Sequence, residues 1–286
     1  MNNDRRDFIK TLTVIVSGLL GSSSLKAREI NKEEELHGIL IDTTLCVGCQ
    51  TCEWVCAEEN SLPEPNDYPE IGLERKLDPT RFTVVNGFDT SKGEVYVKKQ
   101  CMHCNQPACD AACLTEAMKK MEKGPVVWRE NKCMGCRFCM ISCPFEIPKF
   151  EYNSNVPKIQ KCSMCWERQK DGLIPACVEN CPADALMFGK RRDLLDEAFS
   201  RIYTNPDQYY PYVYGEDEAG GTGVMYLASV PFEEIGFDTT IQKGSYPALT
   251  KGFLYSVPSV FILWPMILLA IYESTKNNND SEEEEL

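Results

Sequence analysis

Cys133-Met-Gly-Cys136-Arg-Phe-Cys139-Met-Ile-Ser-Cys143-Pro144 is the stretch that decides how this chain folds. Its two-residue gaps gather the thiolates of Cys133, Cys136 and Cys139 round one small volume, which suits three corners of an Fe4S4 cube. In two-cluster ferredoxins the run C-x2-C-x2-C-x3-C-P lends its last cysteine to the neighbouring cluster, so Cys143 is expected to serve elsewhere. Working outward, Cys101, Cys104, Cys109 and Cys113 precede this run. Cys162, Cys165, Cys177 and Cys181 follow it, the last again before a proline, Pro182. Near the start, Cys46, Cys49, Cys52 and Cys56 repeat the gaps of the third group. These four groups account for all 16 cysteines, the number of ligands that four cubane clusters need.

Other uses of cysteine fit less well. Adjacent C-x2-C pairs make poor disulfide staples, and 286 residues can bury a core without them. Structural zinc pairs two C-x2-C knuckles rather than repeating runs of three or four thiols. The chain has only two histidines, His37 and His103, and no C-x-x-C-H string, which excludes covalent c-type haem. A Rieske centre needs two histidines near cysteines, and only His103 qualifies. Within Cys101-Met-His-Cys104 it reads as a packing or hydrogen-bonding residue beside a cluster.

The formal net charge of −13 argues against a nucleic-acid partner. Charge is unevenly spread: Lys98 to Arg192 carries 16 basic and 10 acidic residues, leaving −19 for the remainder. Each oxidised cube with four thiolates adds about −2, so a local basic surplus offsets buried anions. A docking patch for an acidic partner would give the same count; compensation is the reading preferred here.

Both ends carry targeting signals. Asp4-Arg5-Arg6-Asp7-Phe8-Ile9-Lys10, followed by apolar residues to Leu20, resembles a twin-arginine signal peptide, assigned to residues 1–27. Asp4 and the loose Leu25-Lys26-Ala27 region depart from the usual pattern. Phe253 to Tyr272 is a run of 20 residues without a formal charge, long enough to cross a hydrocarbon core, with Pro258 and Pro265 tolerated there. An acidic tail, 273–286, follows. Export would leave the body on the periplasmic face, held by a single-pass C-terminal anchor.

Between the ends, the pattern predicts an α+β fold of two ferredoxin-like 2[4Fe–4S] modules with loop insertions, plus the transmembrane helix. A four-cluster domain spans 38–192. Its inner module covers 95–150, and its outer module is assembled from 38–60 and 155–192. β-prone pieces, Val95 to Val97 and Val126 to Trp128, precede cysteine groups, and Leu114 to Met121 reads as helix. The Pro-rich insertion before Cys101 reads as surface loop with a short hairpin near Phe82 to Val85. Arg192 to Tyr203 reads as an amphipathic helix opening an extension, 193–252. In it, Tyr209-Tyr-Pro-Tyr-Val-Tyr214 suits a contact surface and ordinary packing equally.

The four-group pattern resembles the iron–sulfur electron-transfer subunits of bacterial respiratory oxidoreductases, such as the beta subunits of dimethyl sulfoxide reductase, membrane formate dehydrogenase and polysulfide reductase. Further strings are similar to the HybA type, the iron–sulfur subunit of a membrane-bound uptake nickel–iron hydrogenase. They are the twin-arginine start, Thr44-Leu-Cys-Val-Gly-Cys49, Lys98-Lys-Gln-Cys-Met-His-Cys104, Tyr214-Gly-Glu, Gly220-Gly-Thr222, Val230-Pro-Phe and the C-terminal anchor. The resemblance implies a ligand crossing. Cys46, Cys49 and Cys52 would take Cys181, while Cys162, Cys165 and Cys177 would take Cys56. Cys101, Cys104 and Cys109 would take Cys143, and Cys133, Cys136 and Cys139 would take Cys113. Relatives with a tryptophan at one position hold a 3Fe–4S cluster; here all positions are cysteine, so four [4Fe–4S] clusters are expected. The resemblance also implies hydrogenase small and large subunits and a polytopic quinone-reactive membrane subunit as partners.

The expected role is therefore a non-catalytic relay between a periplasmic nickel–iron hydrogenase and quinone. The same relay in a molybdenum-enzyme complex, a formate dehydrogenase or sulfur-compound reductase, is the alternative. A metal-storage protein is disfavoured because export and anchoring have no clear use there. The chain shows no nucleophile–base pair, no nucleotide loop and no molybdenum or nickel motif of its own.

Overall fold

A computed structural model describes residues 36–283. Residues 1–27, expected to be a signal peptide, and the last three residues of the acidic tail lie outside the described residues. In chain order the elements begin with β1 (His37–Asp42), α1 (Thr51–Glu59), β2 (Thr83–Thr90) and β3 (Gly93–Gln100). Next come α2 (Ala108–Ala111), β4 (Met118–Lys120), β5 (Val126–Trp128), α3 (Phe138–Ile141), β6 (Lys149–Phe150) and β7 (Ile159–Gln160). The series closes with α4 (Trp166–Lys170), α5 (Ala176–Glu179), β8 (Leu186–Lys190), α6 (Arg191–Thr204), β9 (Val224–Leu227) and α7 (Tyr246–Glu283). Helices and short strands are mixed, as an α+β reading requires.

β1 is the middle strand of the one three-stranded sheet among the described residues, antiparallel to β8 and parallel to β9. A strand covered on both faces must be apolar at consecutive positions, and Ile39, Leu40 and Ile41 are all buried. Ile39 and Ile41 face a core with Val97, Met164, Leu186 and Tyr226. Leu40 faces the other way, against Leu194 and Ala198 of α6. The amphipathic helix read from Arg192 to Tyr203 is thus present. The extension that follows returns β9 to this sheet. Its aromatic string is packed: Tyr209 and Tyr214 are buried, and the Tyr214 ring lies 5.3 Å from Phe232 and 4.7 Å from Phe237.

Two local expectations are corrected. Leu114 to Met121 is not a helix. Glu116 sits at φ 53°, which ends any helical run, and β4 then pairs with β5 so that Met118 is buried opposite Trp128. Pairing and burial override a helix propensity worth only tenths of a kcal/mol per residue. The hairpin near Phe82 to Val85 is also longer than expected. β2 and β3 pair from Thr83–Gln100 to Thr90–Gly93, so the β-prone 95–97 piece is the return strand of that hairpin.

The Pro-rich insertion is tied down by charge. Glu53 on α1 accepts from Arg75 Nη1 at 3.2 Å and from the Val85 N–H at 2.7 Å, and Arg75 also reaches Asp67 at 2.9 Å. Glu53 and Arg75 are both buried. Removing one partner leaves a buried, unpaired charge, so Arg75→Met is expected to cost about 3–5 kcal/mol. An earlier midpoint for bleaching in urea would report it, and adding Glu53→Gln should recover part of the loss.

α7 is different in kind. Over Tyr246–Glu273 it is long and apolar enough to cross a membrane, and the rest of the chain covers none of its apolar window. The run Phe253 to Tyr272, with Pro258 and Pro265, lies wholly within it. Its start packs against α2, where the Ser245 hydroxyl donates to Gln106 Oε1 at 2.6 Å.

Candidate metal centres

One backbone turn recurs at the first Cys-x-x-Cys of every group. The residue before the second cysteine has a left-handed φ in all four groups: Gly48 at 71°, His103 at 48°, Gly135 at 73° and Met164 at 55°. A chain that reverses there turns both flanking thiols to one side. Glycine adopts this conformation freely, and at Gly48 a Cβ would also lie 2.5 Å from the Tyr96 ring. His103 and Met164 hold it at a steric cost of about 1–2 kcal/mol each, and both are completely enclosed. A second turn follows the last cysteine of three groups. Glu116, Glu146 and Asp184, each three residues on, have φ near 50° and donate their N–H back to Cys113, Cys143 and Cys181 at 3.0, 3.1 and 3.3 Å. The first group instead runs Cys56 into α1.

These turns bring together cysteines that are distant in sequence. Cys46, Cys49, Cys52 and Cys181, set A, line one cavity. Cys56, Cys162, Cys165 and Cys177, set B, line another. Cys113, Cys133, Cys136 and Cys139, set D, line a third. Cys101, Cys104, Cys109 and Cys143, set C, lie within electrostatic reach of one another. The sets follow each other in space. Cys52 of set A packs in one core with Cys177 of set B; Cys56 and Cys162 of set B pack with Cys101 and Cys143 of set C; Cys109 of set C packs with Cys139 of set D. All sixteen thiols are free of disulfides.

The donor set fits a cluster better than a single ion. Among the described residues no group of three or more His, Cys, Asp or Glu is close enough to hold one metal ion. Tetrahedral zinc would draw four sulfurs to about 3.8 Å of each other, whereas these sets surround a cavity. Burial pushes the Cys104 and Cys162 thiols up to about 12 and Cys139 up to about 11; Cys52, Cys56 and Cys109 are pushed up further, and neighbouring thiols act in the same direction. Four such thiols become thiolates together only when a cationic core displaces their protons.

Polar side chains around the sets point to the same group. Buried nitrogens of Gln100 (Nε2), His103 (Nε2) and Trp128 (Nε1) have no protein partner. Gln100 lines the set B cavity, Trp128 the set D cavity, and His103 sits between two set C cysteines. His103 accepts the Val126 N–H at Nδ1, 2.9 Å, which leaves its proton on Nε2. Burial and the charges of Lys161, Lys120 and Lys98 hold its pKa well below the ordinary histidine value. Three unpaired N–H donors beside three thiol sets are what a sulfur-rich anion would satisfy. Lysines contribute too. Lys120 donates to the His103 and Cys104 carbonyls at 3.0 and 2.8 Å, and Lys161 to the Cys162 carbonyl at 2.8 Å. Burial works against the charged form of Lys98, and the thiolates of Cys177, Cys52 and Cys162 overcome it, so its pKa is raised. The sequence reading assigned His103 a role beside a cluster but missed Lys98, Gln100, Lys161 and Trp128. The one available signal was Tyr96-x-Lys98-x-Gln100 on a strand, which places polar residues on a face that turns out to be interior.

A family described as "4Fe-4S dicluster domain" matches residues 93–191. A protein of Nitratidesulfovibrio vulgaris (strain Hildenborough) is 40% identical over 296 residues, covering 99% of this chain and 80% of the relative. The hydrogenase-2 operon protein HybA of Escherichia coli O157:H7 is 38% identical over 272 residues, covering 81% of this chain and 83% of the relative. The iron–sulfur subunit of the nitrate-inducible formate dehydrogenase of Escherichia coli (strain K12) is 32% identical over 198 residues, covering 66% of each. With turns that repeat at each cysteine group, thiols gathered in fours and relatives matched over most of their length, the chain belongs to the HybA-type family of 4Fe-4S electron-transfer subunits.

Proposed function

We propose that this chain holds four [4Fe–4S] clusters, one in each thiol set A to D, and relays electrons between a periplasmic nickel–iron hydrogenase and a quinone-reactive membrane subunit. Two ferredoxin-like modules follow from the same reading, sets C and D forming the inner one and sets A and B the outer. When bound, such clusters supply one-electron transfer and no substrate chemistry, which suits a non-catalytic subunit.

The observation that carries this reading is the line of sets with an opening at each end. At the set A end Cys49 is exposed, beside the exposed Val47 and Trp54. At the set D end Cys136 is exposed among Leu114 (88% exposed), Ile141 (82%), Met134 and Phe138. Apolar skirts of this kind around an exposed ligand suit partner docking. α7 leaves the body beside α2, which packs on α3 of set D. The set D end is therefore assigned to the membrane subunit and the set A end to the catalytic subunits. With α7 as a single-pass anchor, the body would lie on the periplasmic face.

Similarity to formate dehydrogenase subunits favours a second reading, in which the catalytic partner is a molybdenum enzyme. Iron analysis tests the relay itself: anaerobically purified protein is expected to hold about 16 iron atoms, to be brown, and to bleach with dithionite. Half that iron, or stoichiometric zinc, overturns it. The catalytic subunit that co-purifies from gently solubilised membranes separates the two readings.

A further inference from the structure

Lys98 stands on β3 opposite Val85, on the strand face that also carries Tyr96 and Gln100. Tyr96 packs on Gly48 of the first Cys-x-x-Cys, so this face looks into the outer half of the domain. Lys98 is 1% exposed, and its side chain lines the set A cavity and the set B cavity at once. Its ammonium donates to Gln100 Oε1, and Gln100 lines the set B cavity as well. A lysine at such a place is costly unless opposite charge surrounds it, because removing an ammonium from water costs several kcal/mol. Arg75 is the other buried cation near α1, and it is committed to Glu53. Among the described residues no carboxylate forms an ion pair with Lys98; its electrostatic neighbours are the thiols of Cys177, Cys52 and Cys162 and the Tyr226 phenol.

We propose that Lys98 is a shared potential-setting residue: one buried ammonium between sets A and B that raises the reduction potentials of both outer clusters together. The inference rests on the four-cluster reading above. A fixed positive charge favours the reduced, more negative state of any redox group near it, and low dielectric amplifies the effect. Because the same charge serves two neighbouring sets, it raises both potentials while leaving the step between them largely unchanged. Sets C and D have other surroundings: Lys120 binds the Cys104 carbonyl of set C, the charge of Lys161 acts on Cys109 and Cys143 of set C, and Lys98 lines no part of the set D cavity. The effect is therefore expected at the outer pair and not at set D. Lys98 acts through its field and binds no iron.

Potentiometric titration of the holoprotein, followed by electron paramagnetic resonance, tests this. Iron is measured first on every variant, so a failure of the four-cluster reading shows as wrong iron in the unaltered protein and is separate from the result below. Lys98→Gln is expected to keep its iron and to lower the reduced-to-oxidised ratio of both outer clusters about ten-fold at a fixed ambient potential, equivalent to about 59 mV for a one-electron couple. Set D should not move, and Lys98→Arg should restore the outer pair. Unchanged outer potentials, an equal shift in all four clusters, or Lys98→Arg behaving like Lys98→Gln would overturn the proposal. If Lys98→Gln loses iron, Gln100→Glu is read instead. It pairs the ammonium with a carboxylate in place at nearly unchanged volume and must lower the set A potential, because Lys98 lines that cavity and Gln100 does not; an unchanged set A value overturns the proposal equally.

Discussion

Cys46→Ala and Cys181→Ala are expected to remove the same cluster, each lowering iron from about 16 to about 12 atoms per chain. The two residues belong to the first and last sequence groups, yet both line the set A cavity with Cys49 and Cys52. Alanine is used because a serine oxygen could still ligate. The double variant decides the matter. If the two thiolates serve one cluster, the second substitution removes nothing further and iron stays near 12; if they serve different clusters, it falls to about 8. Cys177→Ala, from the same sequence group as Cys181, should delete a different spectral component, because Cys177 lines the set B cavity. A drop to about 8 in the double variant would mean that each sequence group holds its own cluster, and the assignment of sets A and B would fail.

The chemistry was legible because it is local. Gaps of two residues can be read directly, and Gly48 and Gly135 mark the left-handed turn at two of its four positions. At the other two the turn is made by His103 and Met164, held by enclosure rather than by type, so no residue announces it. The pairing of Cys181 with Cys46 came from family resemblance, since spacing alone says nothing of which distant thiol completes a set. What could not be read is tertiary. Nothing in Val224-Met-Tyr-Leu227 says that it will lie parallel to β1, because an apolar run of four fits any buried strand. Leu114 to Met121 misled because its strong helix formers still yield to a turn at Glu116 and a strand pairing. Lys98 is one of 16 basic residues in a stretch read as offsetting cluster charge, and only the hairpin register shows that it is the one turned inward between two sets. The helix α7 was plain, since 20 uncharged residues have few other uses.

A chain ending at Lys251 is expected to fold, keep its clusters and leave the membrane. β9, the last strand, ends at Leu227, and the core that encloses the sets closes with Phe232 and Ile235, well before α7. The helix itself shields little, for its apolar window is uncovered by the body. Its loss should therefore cost the fold little and the location everything, because burial of its side chains in lipid, at about 0.8 kcal/mol per CH2, has no substitute elsewhere in the described chain. Fractionation should find the truncated protein soluble or weakly held by partners, with iron unchanged. On the hydrogenase reading, hydrogen oxidation with a soluble dye persists, since the catalytic subunits are untouched. Quinone reduction behaves differently. The anchor converts docking of the set D end into an intramolecular event, and removing a tether lowers effective concentration enough to weaken association about a hundredfold. Hydrogen-dependent quinone reduction should then fall at least about ten-fold, and raising the amount of truncated protein should recover part of it. If truncation leaves both membrane location and quinone reduction intact, the apolar skirt around Cys136 does the holding, and α7 is dispensable for the relay. If iron is lost instead, the part of α7 beyond Lys251 supports the inner sets, and the helix belongs to the fold rather than to the anchor.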